Sequence, residues 1–382
     1  MSHIVLRTGD GLLLATLQNV KSWRFARTSN NVGWFVIETA DLDERLLAVD
    51  RILEFYRTPR GFGPVLLGVG FLRSWEWSDD QQGGVSLELQ GPDQIDLLRR
   101  RVVAYTDPEA NWNKTGYADD LIKAVVRENM GPLSTDPWYN RGRAYDADLF
   151  NIAGDESKGK SVTRTFQFRN TLEVIQDLAD ASTWPSPDND WEGQAIFFDC
   201  EYVGPAQFEF RTYSPLRGID RTLGNNTAPI IFSKEAGNLA DPALKFDYTD
   251  EMNIIYGLGQ GDGEDRMVDP ENDQVRERLS PWNLHEDIAP ATEEETLQGI
   301  SYHAYDKMQK LRPQVVFSGK LVDTPWTRFG VDWGFGDLVT VRFRGMEFDG
   351  RVDSFNILVT DDGRETVEAS VSISKALEGR PT

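Results

Sequence analysis

The sequence predicts a β-rich α+β fold, and three observations carry the prediction. Strand-sized runs broken by Gly, Asn and Asp turns fill about the first hundred residues and return in the tail; helical periodicity is confined to a few short stretches; and 382 residues suffice for several domains at about 150 residues each.

The opening is a meander. "VLRT", "LLLATL", "WRFART", "WFVIET", "FLRSWEWS" and "VSLELQ" are separated by the turns "GDG", "SNNVG" and "DDQQGG", the regular spacing of a small barrel or sandwich. "GPDQIDLLRRRVV" then predicts a short helix with Ile95, Leu98 and Val102 on one face. Its acids, Asp93 and Asp96, stand near the start and its arginines in the last turn, as the helix dipole favours.

From about 105 to 215 the character changes. Ala118, Leu121, Ile122 and Val125 follow the i, i+3, i+4, i+7 rule, and Gly131-Pro132 stops that helix. Asn170 with Glu173 has capping-box spacing and opens a second helix through Leu172, Ile175 and Ala179, followed by the strands "QAIFFDCEYV" and "QFEFRTY".

Beyond 228 come "APIIFS", "ALKFDYT" and "EMNIIYGLG", then the acidic stretch "GDGEDRMVDPENDQVRERLS", which predicts a loop without periodicity. A helix is expected from Thr292, with Glu295 completing a capping box and Leu297, Ile300, Ala304, Met308 and Leu311 as its buried stripe. In the tail, Val339, Val341 and Phe343 alternate with Thr340, Arg342 and Arg344, and Asp362-Gly363 signals a type I′ hairpin.

No run approaches the roughly 18 apolar residues of a membrane span. The N-terminus has no basic region followed by an apolar core, which predicts synthesis in the cytosol without a leader. The lone Cys200 sits in an apolar strand and reads as a small core side chain. A formal charge of -22, from 62 acidic against 40 basic residues, opposes tight binding to nucleic acid or anionic membranes, but does not exclude a protein that DNA must pass without sticking.

No chemistry assembles from the motifs. "GLGQGDG" (257–263) precedes acidic residues and not a helix N-terminus, so it lacks the partner a dinucleotide loop requires. The acids of 259–280 match no calcium-loop spacing, and His3, His285 and His303 lie in unrelated segments. No catalytic, cofactor or metal residue is assigned. "FGVDWGFGDLVTVRF" (329–343) reads instead as a turn leading into a strand: Trp333 is buried, Gly334 and Gly336 allow the tight bend, and Asp337 accepts amides within it.

That stretch, with "FDGRVDSFNI" after it, resembles the C-terminal barrel of the tail hub proteins of long-tailed bacteriophages, a family related to the contractile-tail hub fold. "GFLRSWEWSDDQQGGVSLELQGPDQIDLLRRRVV", "TFQFRNTLEVIQDLADAS", "FEFRTYSPLRGIDRT" and "YGLGQGDGEDR" resemble the family's earlier blocks in the same order. The resemblance implies two tail-tube-like antiparallel β-barrels, over 1–104 with its closing helix and over 216–258 plus 313–382, with an α+β insert at 105–215 and an acidic loop and helix insert at 259–312. It further implies a virion protein made in the host cytoplasm: a homotrimeric baseplate hub between the tail tube and the tail tip. Its expected partners are a distal tail or tube ring, a fibre or tip protein, the tape-measure protein, and DNA in transit. Arg266, Arg276 and Arg278 are the residues expected to dock the acidic loop on a neighbour. The competing reading is a cell-wall carbohydrate-binding or peptidoglycan-hydrolysing tail protein, suggested by Trp184 and Trp191 beside prolines.

Overall fold

The computed structural model describes residues 2–373, save 18–19, 41, 80–84, 105–111, 135–141, 167, 184–193, 225–226, 293 and 295. Trp184, Trp191 and Glu295 therefore lie outside the described residues. The chain divides into one unit of 1–243 with 317–374 and a second within 244–316.

The first unit opens with β1 (His3–Arg7), β2 (Leu13–Leu17), β3 (Val20–Thr28), β4 (Asn31–Thr39), β5 (Ile52–Arg57), β6 (Val65–Phe71), β7 (Ser74–Asp79) and β8 (Val85–Pro92). An antiparallel sheet of order β2-β1-β5-β6 lays Ile4, Leu6, Phe55 and Val69 against Trp23, Phe25 and Phe35 of the facing strands β3 and β4, all of them buried. The Phe25 and Phe55 rings stack at 4.6 Å, and Phe35 tilts onto Phe55 at 5.2 Å. Gly70 makes this closeness possible, because a Cβ there would stand 2.4 Å from the Phe35 ring.

Helix α1 (Asp96–Arg99) is a single turn. Leu98 is buried, but Val102 is exposed, because the helix ends before a second turn could bring it round to the core. Arg99 and Arg100 reach back to Asp96, and Arg101 lies over the Tyr145 ring at 4.4 Å. The insert follows as β9 (Trp112–Tyr117), α2 (Ala118–Asn129), β10 (Phe150–Ile152), β11 (Ser161–Phe166), α3 (Thr171–Thr183), β12 (Phe197–Gly204) and β13 (Gln207–Tyr213). The expected stripe of α2 is buried at Ala118, Leu121, Ile122 and Val125, and Asn170 caps α3 by accepting from the Leu172 amide at 3.0 Å. These helices share one core with Phe71, Leu98, Phe198, Cys200 and Phe210.

After β14 (Ile231–Phe232) and β15 (Leu239–Asp247) the chain enters the second unit, made of β16 (Ile254–Leu258), β17 (Val268–Asn272), α4 (Gln274–Glu277), β18 (Glu286–Pro290) and α5 (Leu297–Lys310). Strand β16 is central, antiparallel to β17 and parallel to β18. Ile255, Ala289, Ala304 and Met308 form the core. Helix α5 starts five residues later than the sequence suggests, because Thr296 and not Thr292 caps it, accepting from the Gly299 amide at 3.1 Å; Leu297 is consequently exposed.

The chain returns as β19 (Gln314–Leu321), β20 (Leu338–Phe343), β21 (Met346–Thr360) and β22 (Glu365–Ile373). The predicted polar face of β20 is only partly polar in setting: Thr340 is buried and donates to Asp349 at 2.5 Å. The hairpin at 361–363 is a three-residue loop and not type I′. Gly363 is left-handed (φ +74) and Asp362 is not, and the Gly363 amide donates to the Thr360 carbonyl at 2.9 Å.

The expectation of two closed barrels is not met. Among the described residues the main path runs β15-β19-β22-β21-β3-β4-β8-β7, and no sheet closes on itself. The cause is β21, which reads in sequence as two strands, "FDGRVDSF" and "FNILVT", but runs unbroken for 15 residues. Its first part pairs with β20, which in turn holds β14, and its last part, from Ser354 to Thr360, pairs with β3. One side of one strand thus ties the N-terminal meander and the tail into a single forked sheet.

Candidate functional site

The turn at 329–337 is built from aromatic packing outward. Trp333 is buried, meets Phe232 edge-on at 5.1 Å and donates its indole N–H to the Thr327 carbonyl at 3.2 Å. Gly336 has φ +89, and a Cβ there would lie 2.9 Å from that of Arg217. Gly334 is not left-handed and has open space around it, so of these two glycines Gly336 carries the conformational demand. The Asp337 carboxylate is buried and accepts from the Gly334 amide at 2.8 Å, from the Ile219 amide at 2.7 Å and from Arg221 at 2.8 Å. It therefore fastens the segment 217–221 to the start of β20, a long-range partnership that the local motif did not disclose.

A second cluster escaped the sequence reading. Arg27 on β3 lies 3.2 Å from Asp93 and 2.7 Å from Asp199 on β12, and Arg217 also pairs with Asp199. Burial pushes the Asp93 carboxyl up to about 6, against the pull of Arg27. Burial acts the same way on Asp199, but Arg27 and Arg217 together override it and hold that group down at about 2. Burial lowers the Arg27 pKa, and the two carboxylates more than offset it. The available signal was Asp199 itself, an acid inside the apolar run "AIFFDCEYV", where Phe197 to Cys200 are all buried. Cys200 behaves as a core side chain, its thiol pKa raised by burial.

The acidic stretch is not structureless. Val268 to Asn272 supply β17, whose register pairs Val268 with Leu258, and Asp273 caps α4 by accepting from the Arg276 amide at 3.2 Å. Arg276 is buried, 2.8 Å from Asp273 and 3.6 Å from Glu251. Arg266 is exposed, and exposed Arg278 lies 3.3 Å from Gln274. Among the described residues no group of three His, Cys, Asp or Glu side chains is placed to hold a metal, and no helix is long and apolar enough to cross a membrane.

The main path of the ten-stranded sheet ends on two edges. Strand β15 carries Pro242 and a left-handed Asp241 (φ +48), both of which obstruct further pairing. Strand β7 has no proline or lysine, and Trp77 on it is exposed. Glu38, Glu88 and Glu76 stand directly opposite one another across β4, β8 and β7, a row of like charges on one face.

A model of the Siphovirus ReqiPepy6 Gp37-like protein family matches residues 3–371. Comparison with the curated proteins gave no match. Among solved structures, the chain is similar to the 43 kDa tail protein of prophage MuSo2 from Shewanella oneidensis, at 13% identity and TM-score 0.58, covering 97% of this chain and 98% of that one. It is also similar to a tail protein from Neisseria meningitidis, at 12% identity and TM-score 0.56, over 97% and 96%. A chain of the Francisella PdpA-VgrG complex aligns at 10% identity and TM-score 0.50, over 99% of this chain and 59% of that one. These likenesses concern the fold.

Proposed function

From the Siphovirus ReqiPepy6 Gp37-like protein family, to which this chain belongs, we propose that it is a structural component of the virion: the baseplate hub that joins tail tube to tail tip as a homotrimeric ring through which DNA passes. The observation that carries this reading is the open ten-stranded sheet. An edge strand without proline or lysine, such as β7, is a template for another chain, and a ring neighbour supplies one with closed symmetry.

The glutamate row supports the passage of DNA. Like charges directly opposed in a sheet cost stability, so Glu38, Glu88 and Glu76 are expected to be retained for what they face. On a bore wall they deny phosphates the counterion release that would hold DNA in place. Arg266 and Arg278, both exposed, remain available for docking the 261–280 segment on a tube, distal-tail, fibre or tape-measure protein, whereas Arg276 has internal carboxylate partners.

The test is direct imaging of the purified protein and of isolated tails. A three-subunit ring with a central hole is expected. A stable monomer by light scattering at tens of micromolar, together with single copies in the assembled tail, would remove the proposal.

A further inference from the structure

Beside the Arg266 and Arg278 invoked for docking, the second unit carries a short run of exposed apolar side chains, a knuckle to which the hub reading gives no part. Trp282 is 88% exposed, Val275 78%, Leu279 59% and Leu284 53%, all within ten residues of chain. Soluble surfaces rarely gather large apolar side chains in this way without a partner.

The knuckle is held in place from beneath. Asn253 is fully buried and bonds the segment's base with side chain and backbone: its side chain donates to the Asn283 carbonyl at 2.6 Å and accepts from the His285 amide at 3.0 Å. Its backbone donates to the His285 carbonyl at 3.1 Å and accepts from the Asp273 amide at 2.9 Å. Asn283 then donates its side-chain amide to the Arg276 carbonyl at 2.8 Å, and the Ser280 hydroxyl accepts from the Trp282 amide at 3.2 Å. The backbone that presents the four side chains is therefore ordered before any contact, which lowers the entropy cost of binding.

Charge selects the occupant. Residues 244–316 hold 16 acidic side chains against 7 basic ones, and four of the basic ones, Lys245, Arg276, Lys307 and Arg312, are in ion pairs within the unit. A second copy of this chain would bring the same acidic field against the first. We propose that the knuckle, with Trp282 as its central anchor, inserts into an apolar pocket with a basic rim on a different tail protein. This rests on the tail-component reading, but on neither the trimer nor the bore.

The test places a photo-crosslinking phenylalanine analogue at position 282 in particles assembled with the full chain, and identifies cross-linked peptides by mass spectrometry. Cross-links to one other tail protein, at a site flanked by Lys or Arg, are expected. Leu279→Ser with Trp282→Ser should keep the melting temperature and self-assembly of the purified chain but lower its incorporation into tails by roughly tenfold or more, and Trp282→Phe should restore most of it. Cross-links to this chain alone, or normal incorporation of the double variant, would overturn the inference and leave the hub reading standing. Absence of the chain from purified particles would sink both.

Discussion

Arg27 donates to Asp199 at 2.7 Å across 172 positions of sequence, joining the N-terminal meander to the insert inside the core. The same guanidinium reaches Asp93, so one cation serves two buried carboxylates that are pushed in opposite directions.

Stability should therefore respond to pH in two steps. The folded pKa of Asp199, about 2, lies below its ordinary value near 4, so its contribution is present above about pH 4 and lost as pH falls from there towards 2. Asp93 is raised to about 6, so the fold retains a proton that the unfolded chain has released, and that contribution is lost as pH rises from about 4 through 6. Asp93→Asn should flatten the upper step and leave the acid limb intact, as followed by melting temperature between pH 3 and 8. An unchanged profile would detach Asp93 from the network.

Gly336→Val should destabilise the first unit by about 1–3 kcal/mol through backbone strain alone, with crowding against Arg217 added to it. Gly334→Ala, two residues away, meets open space and should stay within about 0.5 kcal/mol of the parent. Denaturant titration of both separates a conformational demand from a general intolerance of change in this turn; equal effects would contradict the assignment.

Asp337→Ala leaves Arg221 and two backbone amides without their acceptor, at a cost of about 3 kcal/mol. The variant should melt lower and expose 217–221 to faster amide exchange. Protection there equal to that of the parent would show that the segment is held by other contacts.

Asn253→Ala should loosen the knuckle more than the unit. Loss of its two side-chain bonds predicts faster amide exchange at His285, with α5 protected as before. Uniform loss of protection through 254–310 would instead make Asn253 a keystone of the unit's fold.

Replacing Glu38, Glu76 and Glu88 together by lysine should leave particles assembled but slow the release of their DNA, measured as genome efflux after triggering. Release at the parental rate would take these residues off the bore wall.

Local chemistry made much of this legible. The Ala118 to Val125 stripe, the Asn170 cap and the 365–373 strand follow from spacing alone, because the forces that fix them act within a few residues. What sequence could not disclose is what depends on distant partners. The ends of the Asp337 and Asp199 bonds lie elsewhere in the chain, and β17 draws its order from the edge of β16 despite a composition that looks unstructured. The barrels failed for the same reason: each alternating run has the correct face, but nothing in "WRFART" names "FNILVT" as its neighbour.

That pairing also sets a timetable on the ribosome. Strand β3 is made long before β21, with residues 29–345 translated between them. At about 5–20 residues per second, the nascent β3 waits on the order of tens of seconds for its partner. The unit within 244–316 comes from consecutive residues and can condense meanwhile, but the large sheet cannot be finished until β21 and β22 have been made. A growing chain of this design is therefore most in need of chaperone cover on its oldest strands, not its newest.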